Sequence, residues 1–113
     1  MTKQAELPKP ESTVRGTRSG RPIMVLLDLL GRRWTLRVLW ELRDGALRFR
    51  ALQERCGGLS PTVLNRRLAE LRAAEIVALG PQEGYELTGE GRKLLRALAP
   101  LGEWARRWAA RPD

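Results

Sequence analysis

Histidine is absent from all 113 residues, and its absence removes two large classes of chemistry. No Ser-His or Cys-His nucleophile can be built, and no imidazole can hold a metal. Cysteine occurs once, as Cys56, so an internal disulfide, a zinc finger and a Cys-x-x-Cys redox pair are excluded. No glycine-rich phosphate loop follows a candidate strand, and no cofactor is expected. Carboxylates do not cluster either, so no catalytic constellation can be assembled and the chain does not read as an enzyme. Long apolar runs are also missing. The longest, residues 23–30, is far too short to span a bilayer and contains Asp28. The opening MTKQAELPKPE lacks the apolar segment of a signal peptide. A free thiol without an export signal fits a cytoplasmic protein with no membrane partner.

Lysine is scarce as well, at three of the 21 basic residues, and arginine supplies the rest. Set against 13 acidic residues, this leaves a net charge of +8 at pH 7 and a pI of about 11.2. The planar fork of arginine suits phosphate and guanine better than the point charge of lysine. Such a balance on a small domain favours nucleic acid as partner, with an anionic membrane surface second. Apolar residues make up 42% of the chain, enough for one small core. A lone domain of this size buries roughly two-thirds of its surface, so a second copy would help.

Residues 1–20 show no apolar periodicity and carry Pro8, Pro10, Gly16 and Gly20. They read as a flexible arm ahead of one domain over 21–113. The arm's cations, Lys3, Lys9, Arg15 and Arg18, read as a solvated tail, with phosphate contact the alternative. Pro22 sits where a first helical residue is tolerated, because its missing N–H would be unpaired there anyway. Ile23, Leu26, Leu27 and Leu30 then repeat on one helical face, and Gly31 ends the helix. A second helix is predicted over 34–43. Its Leu36, Val38, Leu39, Trp40 and Leu42 cover much of the circumference, as in a mostly buried helix. Asp44-Gly45 signals a turn, and a short strand is expected at 46–48.

The densest signal is LRFRALQERCGGLSPTVLNRRLAEL, residues 47–71. A helix over 49–55 turns Phe49, Leu52 and Cys56 inward, and Gly57, Gly58 and Leu59 separate it from the next. Ser60 is a good cap and Pro61 a good first residue for that next helix. Leu64, Leu68 and Leu71 pack down. At about 100° per residue, Thr62 and Arg66 point nearly the opposite way, with Ala69 beside them and Asn65 on the flank. An ordinary surface helix usually mixes both charge signs on its free face. Here the first two turns show only Thr, Asn and Arg. Two helices joined by a glycine turn, with such a face on the second, make a DNA-reading helix-turn-helix.

Residues 76–79 and 85–88 alternate weakly as strands around Gly80-Pro81-Gln82-Glu83-Gly84, which makes a wing. A last helix is predicted from Thr88 to about residue 111. Its Leu94, Leu98, Leu101, Ala105 and Trp108 keep the spacing of a coiled-coil seam, and Trp104 adds a flank. Pro100 cannot bond the Arg96 carbonyl, so a kink is expected near Ala99. The fold class is therefore mainly α with a small β-hairpin: a winged helix-turn-helix with terminal dimerisation helices.

Three segments carry a resemblance to a known family. LLDLLGRRWTLRVLWELRDGALRF (26–49) holds Gly31-Arg32-Arg33-Trp34-Thr35 and the pair Arg48-Phe49. LSPTVLNRRLAEL (59–71) opens on Leu59-Ser60-Pro61, and YELTGEGRKLL (85–95) on Tyr85, Leu87 and Thr88. In this order and separation the chain resembles the HxlR-type transcriptional regulators, a branch of the MarR-like winged helix-turn-helix proteins, over about residues 21–108. The resemblance implies a cytosolic homodimer that represses or activates genes. Its first and last helices would form the interface, and its two recognition helices would enter successive major grooves of a pseudo-palindromic operator on double-stranded DNA. Three departures stand out. Many members carry a sensing cysteine just before the first helix's proline; here that place is Arg21. The wing is short, with Gln82 and Glu83 at its tip instead of basic residues. Pro100 interrupts the last helix.

From these readings come the candidate site residues. Thr62, Asn65 and Arg66 are expected to reach base edges, since Arg forks onto guanine and Asn onto adenine. Ser60 and the free N–H groups of its helix end can hold a phosphate. Arg33, Arg48 and Arg50 are assigned to the DNA backbone. Arg67 is either a phosphate clamp or an intramolecular salt-bridge partner. Ile23, Leu27, Leu94, Leu98, Leu101, Trp104, Ala105 and Trp108 are assigned to the dimer interface, because exposed they would form an apolar patch that monomers avoid. Cys56 reads as core, with a reactive thiol lowered by Arg55 as the alternative. Trp34 and Trp40 read as core filling, with a ligand pocket between the second helix and the dimer arm as the alternative; no effector can be named. A winged-helix module that docks protein or RNA is the competing class. An RNA binder should expose aromatics for stacking, yet Tyr85 and Phe49 are expected to face inward.

Overall fold

Helix α1, Pro22–Leu30, begins on its proline and is closed by the Gly31 N–H on the Leu27 carbonyl at 2.8 Å. The computed structural model describes residues 21–112; the expected arm over 1–20 lies outside the described residues. The apolar stripe of α1 splits. Leu29 and Leu30 are buried, while Ile23 and Leu27 stand 53% and 52% exposed. Four residues then reverse the chain, and Trp34 takes a left-handed conformation (φ 80°) that non-glycine residues rarely adopt.

Helix α2 is shorter than the predicted 34–43, running Thr35–Glu41 with Leu42 as its cap. It is also less buried than its composition suggests. Val38, Leu39 and Leu42 enter the core, but Leu36 and Trp40 are about half exposed. Helix α2 is two turns long, and on the described chain only one side of it has something to pack against. Core filling therefore holds for Trp34, which packs on the cluster, and fails for Trp40.

Strand β1, Leu47–Arg48, leads straight into helix α3, Phe49–Arg55, which buries Leu52 with Cys56 just beyond its end. Gly57 and Gly58 have φ of 81° and 79°. Two consecutive left-handed residues are cheap only for glycine, which explains the pair at the motif's turn. Gln53 Nε2 spans the turn and donates to the Leu59 carbonyl at 2.8 Å. Helix α4, Pro61–Ala73, follows with Leu64, Leu68 and Leu71 buried against the cluster of Leu39, Leu42 and Leu52. Each such leucine contributes about 1.5–3 kcal/mol by leaving water.

Strands β2, Val77–Leu79, and β3, Gly84–Leu87, form the wing hairpin; β2 ends where expected and starts one residue later, and β3 starts and ends one residue earlier than expected. The sheet has a third member: β1 pairs antiparallel with β3, Leu47 opposite Tyr85, giving the order β1-β3-β2. Tyr85 on β3 and Phe49 at the start of α3 are half-buried against the core, facing inward as expected. Thr88 caps helix α5, Gly89–Leu98, by accepting from the Gly91 N–H at 3.0 Å while its own hydroxyl donates to the Glu75 carbonyl at 2.7 Å. Gly91 is required there, since a Cβ would run into the Ile76 carbonyl. The expected kink at Ala99 is sharp enough to divide the last helix. Helix α6, Pro100–Ala110, starts on the proline and buries none of its residues. Among the described residues no helix is long and apolar enough to cross a membrane.

Candidate nucleic-acid interface

The frame of the site is α4 and the glycine turn that aims it. Ser60 Oγ accepts from the Val63 N–H at 3.2 Å and fixes the first turn, while Pro61 removes an N–H that would have had no partner. The buried leucines set the rotation of the helix. Thr62, Asn65, Arg66 and Ala69 are consequently exposed together, and no segment of the described chain covers them.

The charges on this frame divide into two groups. Arginines remote from the motif are mostly engaged: Arg37 with Glu41 at 2.8 Å, Arg43 with Asp44, Arg106 and Arg107 with Glu103. Arg66 and Arg50 have no ion pair or hydrogen bond among the described residues, and Arg33 meets only the face of Trp34 at 5.7 Å. An arginine held over water with no internal acceptor keeps all five donors for an external one.

Arg67 differs from its neighbour. Its side chain is 13% exposed and bonds Glu70 at 2.6 Å. Glu70 also takes Arg32 at 3.2 Å, and Arg32 reaches Asp28 at 3.1 Å. The chain Asp28–Arg32–Glu70–Arg67 straps α1 to α4. Of the two roles held open for Arg67, the geometry supports the intramolecular pair. The sequence reading missed Arg32 and Glu70 as partners, since only the fold brings them together across 38 positions of chain. Arg48 is likewise occupied in part: its Nε donates to the Gln82 carbonyl at 3.2 Å and ties β1 to the wing. The wing tip presents Gln82 and Glu83, the latter left-handed at φ 63°.

Cys56 sits behind α3, 1% exposed. Burial pushes its thiol above the ordinary value of 9.0; the Arg37 charge pulls it down and Glu41 pushes it up. The neighbouring charges that bear on it belong to α2, so Arg55 is not the activating group.

The residues assigned to the dimer interface fall on the outside. Leu101, Trp104 and Trp108 are more than half exposed, and the two tryptophan rings stack at 5.6 Å. Leu94 and Leu98 are partly buried on α5, and Ala105 is exposed on α6.

The architecture is shared with known regulators. YvaP of Bacillus subtilis, a helix-turn-helix-type transcriptional regulator, is 31% identical over 88 residues, covering 73% of this chain and 82% of its own. A helix-turn-helix-type regulator of Mycobacterium tuberculosis is 33% identical over 99 residues, covering 83% of this chain and 63% of its own length. Among solved structures, quinone-bound YodB from B. subtilis superposes with a TM-score of 0.69 at 32% identity, over 75% of this chain and 94% of that one. A MarR-family regulator from Enterococcus faecalis V583 gives 0.70 at 29%, over 87% and 94%. The model of the HxlR-like helix-turn-helix family matches residues 29–113. The capped α4, the glycine turn and the three-stranded wing are thus those of a winged helix-turn-helix, and the chain belongs to the HxlR-like family of DNA-binding transcription regulators.

Proposed function

We propose that the protein works as a homodimer in the cytoplasm, without catalysis, and reads a pseudo-palindromic operator with one α4 per half-site. The observation that carries this is the exposed face of α4, where Arg66 has no partner among the described residues, on a helix whose other face is locked into the core. Thr62, Asn65 and Arg66 read base edges in the major groove. Ser60, the free N–H groups at the start of α4, Arg33 and Arg50 hold phosphates. Arg48 adds a phosphate contact with the donors that the Gln82 bond leaves free. Arg67 is reassigned to the strap with Glu70. Glu83 at the wing tip disfavours insertion of the wing against phosphate.

Two copies are needed for a mechanical reason as well. Helix α6 buries nothing on its own chain and shows Leu101, Trp104 and Trp108 to water. An apolar patch of that kind marks an interface. Ile23 and Leu27 on α1, with Leu94, Leu98 and Ala105 on α5 and α6, complete it.

The test is an electrophoretic mobility shift with a duplex from upstream of the protein's own gene, competed by random duplex, alongside sedimentation equilibrium. A dimer that holds the upstream duplex against a large excess of random DNA is expected. A monomer, or equal competition by random DNA, would overturn the reading.

A further inference from the structure

The ion-pair strap between α1 and α4 joins two surfaces with different tasks. Asp28 Oδ2 meets Arg32 Nη2 at 3.1 Å, Arg32 Nη1 meets Glu70 Oε2 at 3.2 Å, and Glu70 Oε1 meets Arg67 Nη1 at 2.6 Å. One end lies next in sequence to Leu27, assigned to the dimer interface, and the other next to Arg66, assigned to the bases. We propose that Arg32 and Glu70 are positioning residues: their pair fixes how the two α4 helices stand relative to each other in the dimer, and so which half-site spacing the protein accepts. This rests on the homodimer proposed above.

Glu70 is the one acidic residue of α4. A carboxylate on a helix that approaches phosphates works against binding, so its presence needs a reason. Its two oxygens are each taken by a different guanidinium, one from its own helix and one from the turn after α1. The four side chains of the strap are 13–29% exposed, so water screens these pairs less than pairs on the open surface. Asp28–Arg32 and Arg67–Glu70 are four and three residues apart and are local. Arg32–Glu70 alone ties one element to the other.

The place of that pair gives it leverage. Leu64, Leu68 and Leu71 hold α4 at its depth, and a roll about this floor is resisted at the sides of the helix. Glu70 lies about 100° round from Leu71, off the floor. Helix α1 itself packs mainly on α2, so the strap carries its position to α4 through side chains. One base pair added between half-sites moves them apart by about 3.4 Å and turns them by about 34°. Shared between two copies, a shift of about 1.7 Å per α4 would stretch a pair that stands at 3.2 Å past the roughly 4 Å reach of an ion pair. An intact strap therefore penalises the wrong spacing, and a broken one lets α4 follow the DNA.

The test begins with a duplex that the full chain selects from a random pool. That duplex is rebuilt with one base pair added or removed between its half-sites. The wild-type chain is expected to lose about tenfold or more in affinity on either altered spacing. Arg32→Gln, which leaves the Arg67–Glu70 pair in place, is expected to lose only about threefold or less, and Glu70→Gln to match it. The ratio between spacings cancels any loss of folded protein and any general change in attraction to phosphate, so a merely structural role would leave it at the wild-type value. Lys93→Gln, which removes one cation and the local pair with Glu90 on α5, is expected to keep the wild-type ratio. A wild-type chain indifferent to spacing, a wild-type ratio in Arg32→Gln or Glu70→Gln, or a relaxed ratio in Lys93→Gln would each overturn the role of the strap and leave the dimer standing. Selection of a single half-site would overturn the dimer itself, and the strap's role with it.

Discussion

Cys56 shows how burial decides what a residue can do. A lone thiol beside Arg55 reads equally as a small core residue or as a sensor, since adjacency in sequence says nothing of depth. The fold puts it 1% exposed behind α3, with Arg37 and Glu41 as the charges that act on it. Because the folded state raises the thiol above 9.0, it holds the proton more tightly than the unfolded chain does. The resulting stability is complete below that ordinary value and is lost as pH climbs through the folded one. Urea unfolding from pH 8 to pH 10.5 is expected to show a decline that is shallower in Cys56→Ala. Identical slopes would place the decline elsewhere. Trp40 taught the opposite lesson. Its helical position among apolar neighbours reads as core, yet it faces an open groove between α2 and the α5–α6 kink, because a pattern of apolar residues does not say which of two surfaces each one serves.

The helices of the motif were legible because they carry strong local chemistry. Ser60, Pro61 and the leucines at 64, 68 and 71 fix the start, the cap and the rotation of α4 without reference to the rest of the chain. Ser60→Ala is expected to cost about 1 kcal/mol, read as a lower urea midpoint at unchanged m-value. An unchanged midpoint would mean the cap contributes nothing. Elements whose definition is non-local were harder to see. Strand β1 falls within the expected 46–48, but its two residues give no sign of the pairing with β3. The left-handed Trp34 that shortened α2 is imposed by the tight reversal after Gly31, and its side chain gives no hint of it. Within the strap Asp28–Arg32–Glu70–Arg67 the end pairs are local, but the central link Arg32–Glu70 forms only when α1 lies beside α4. Arg67 could be given two roles from sequence because its Glu70 partner is local while the burial of its side chain, 13% exposed, is set by the fold.

At the scale of the whole molecule, one helix of the single copy is left uncovered. Helix α6 projects from the α5 kink with every residue exposed, and the extents of 51 × 38 × 26 Å describe an elongated body. The seam spacing of its leucines and tryptophans was visible in the sequence, but the division at Ala99 into two helices sets where that seam points. If dimerisation completes the fold, thermal stability should rise with protein concentration. Leu101→Glu, at a residue 59% exposed, should abolish that rise and leave a folded monomer by circular dichroism and sedimentation. A concentration-dependent midpoint persisting in Leu101→Glu would move the interface elsewhere. The central claim, that the exposed face of α4 reads bases, is tested most directly by comparing Arg66→Ala with Arg50→Ala on operator and random duplexes across salt concentrations. Arg66→Ala is expected to weaken the operator by about 1–3 kcal/mol while barely altering random DNA. Arg50→Ala is expected to weaken both alike and to lower the salt slope by about 1. Equal losses on the two DNAs for Arg66→Ala would contradict the assignment of that face to the bases.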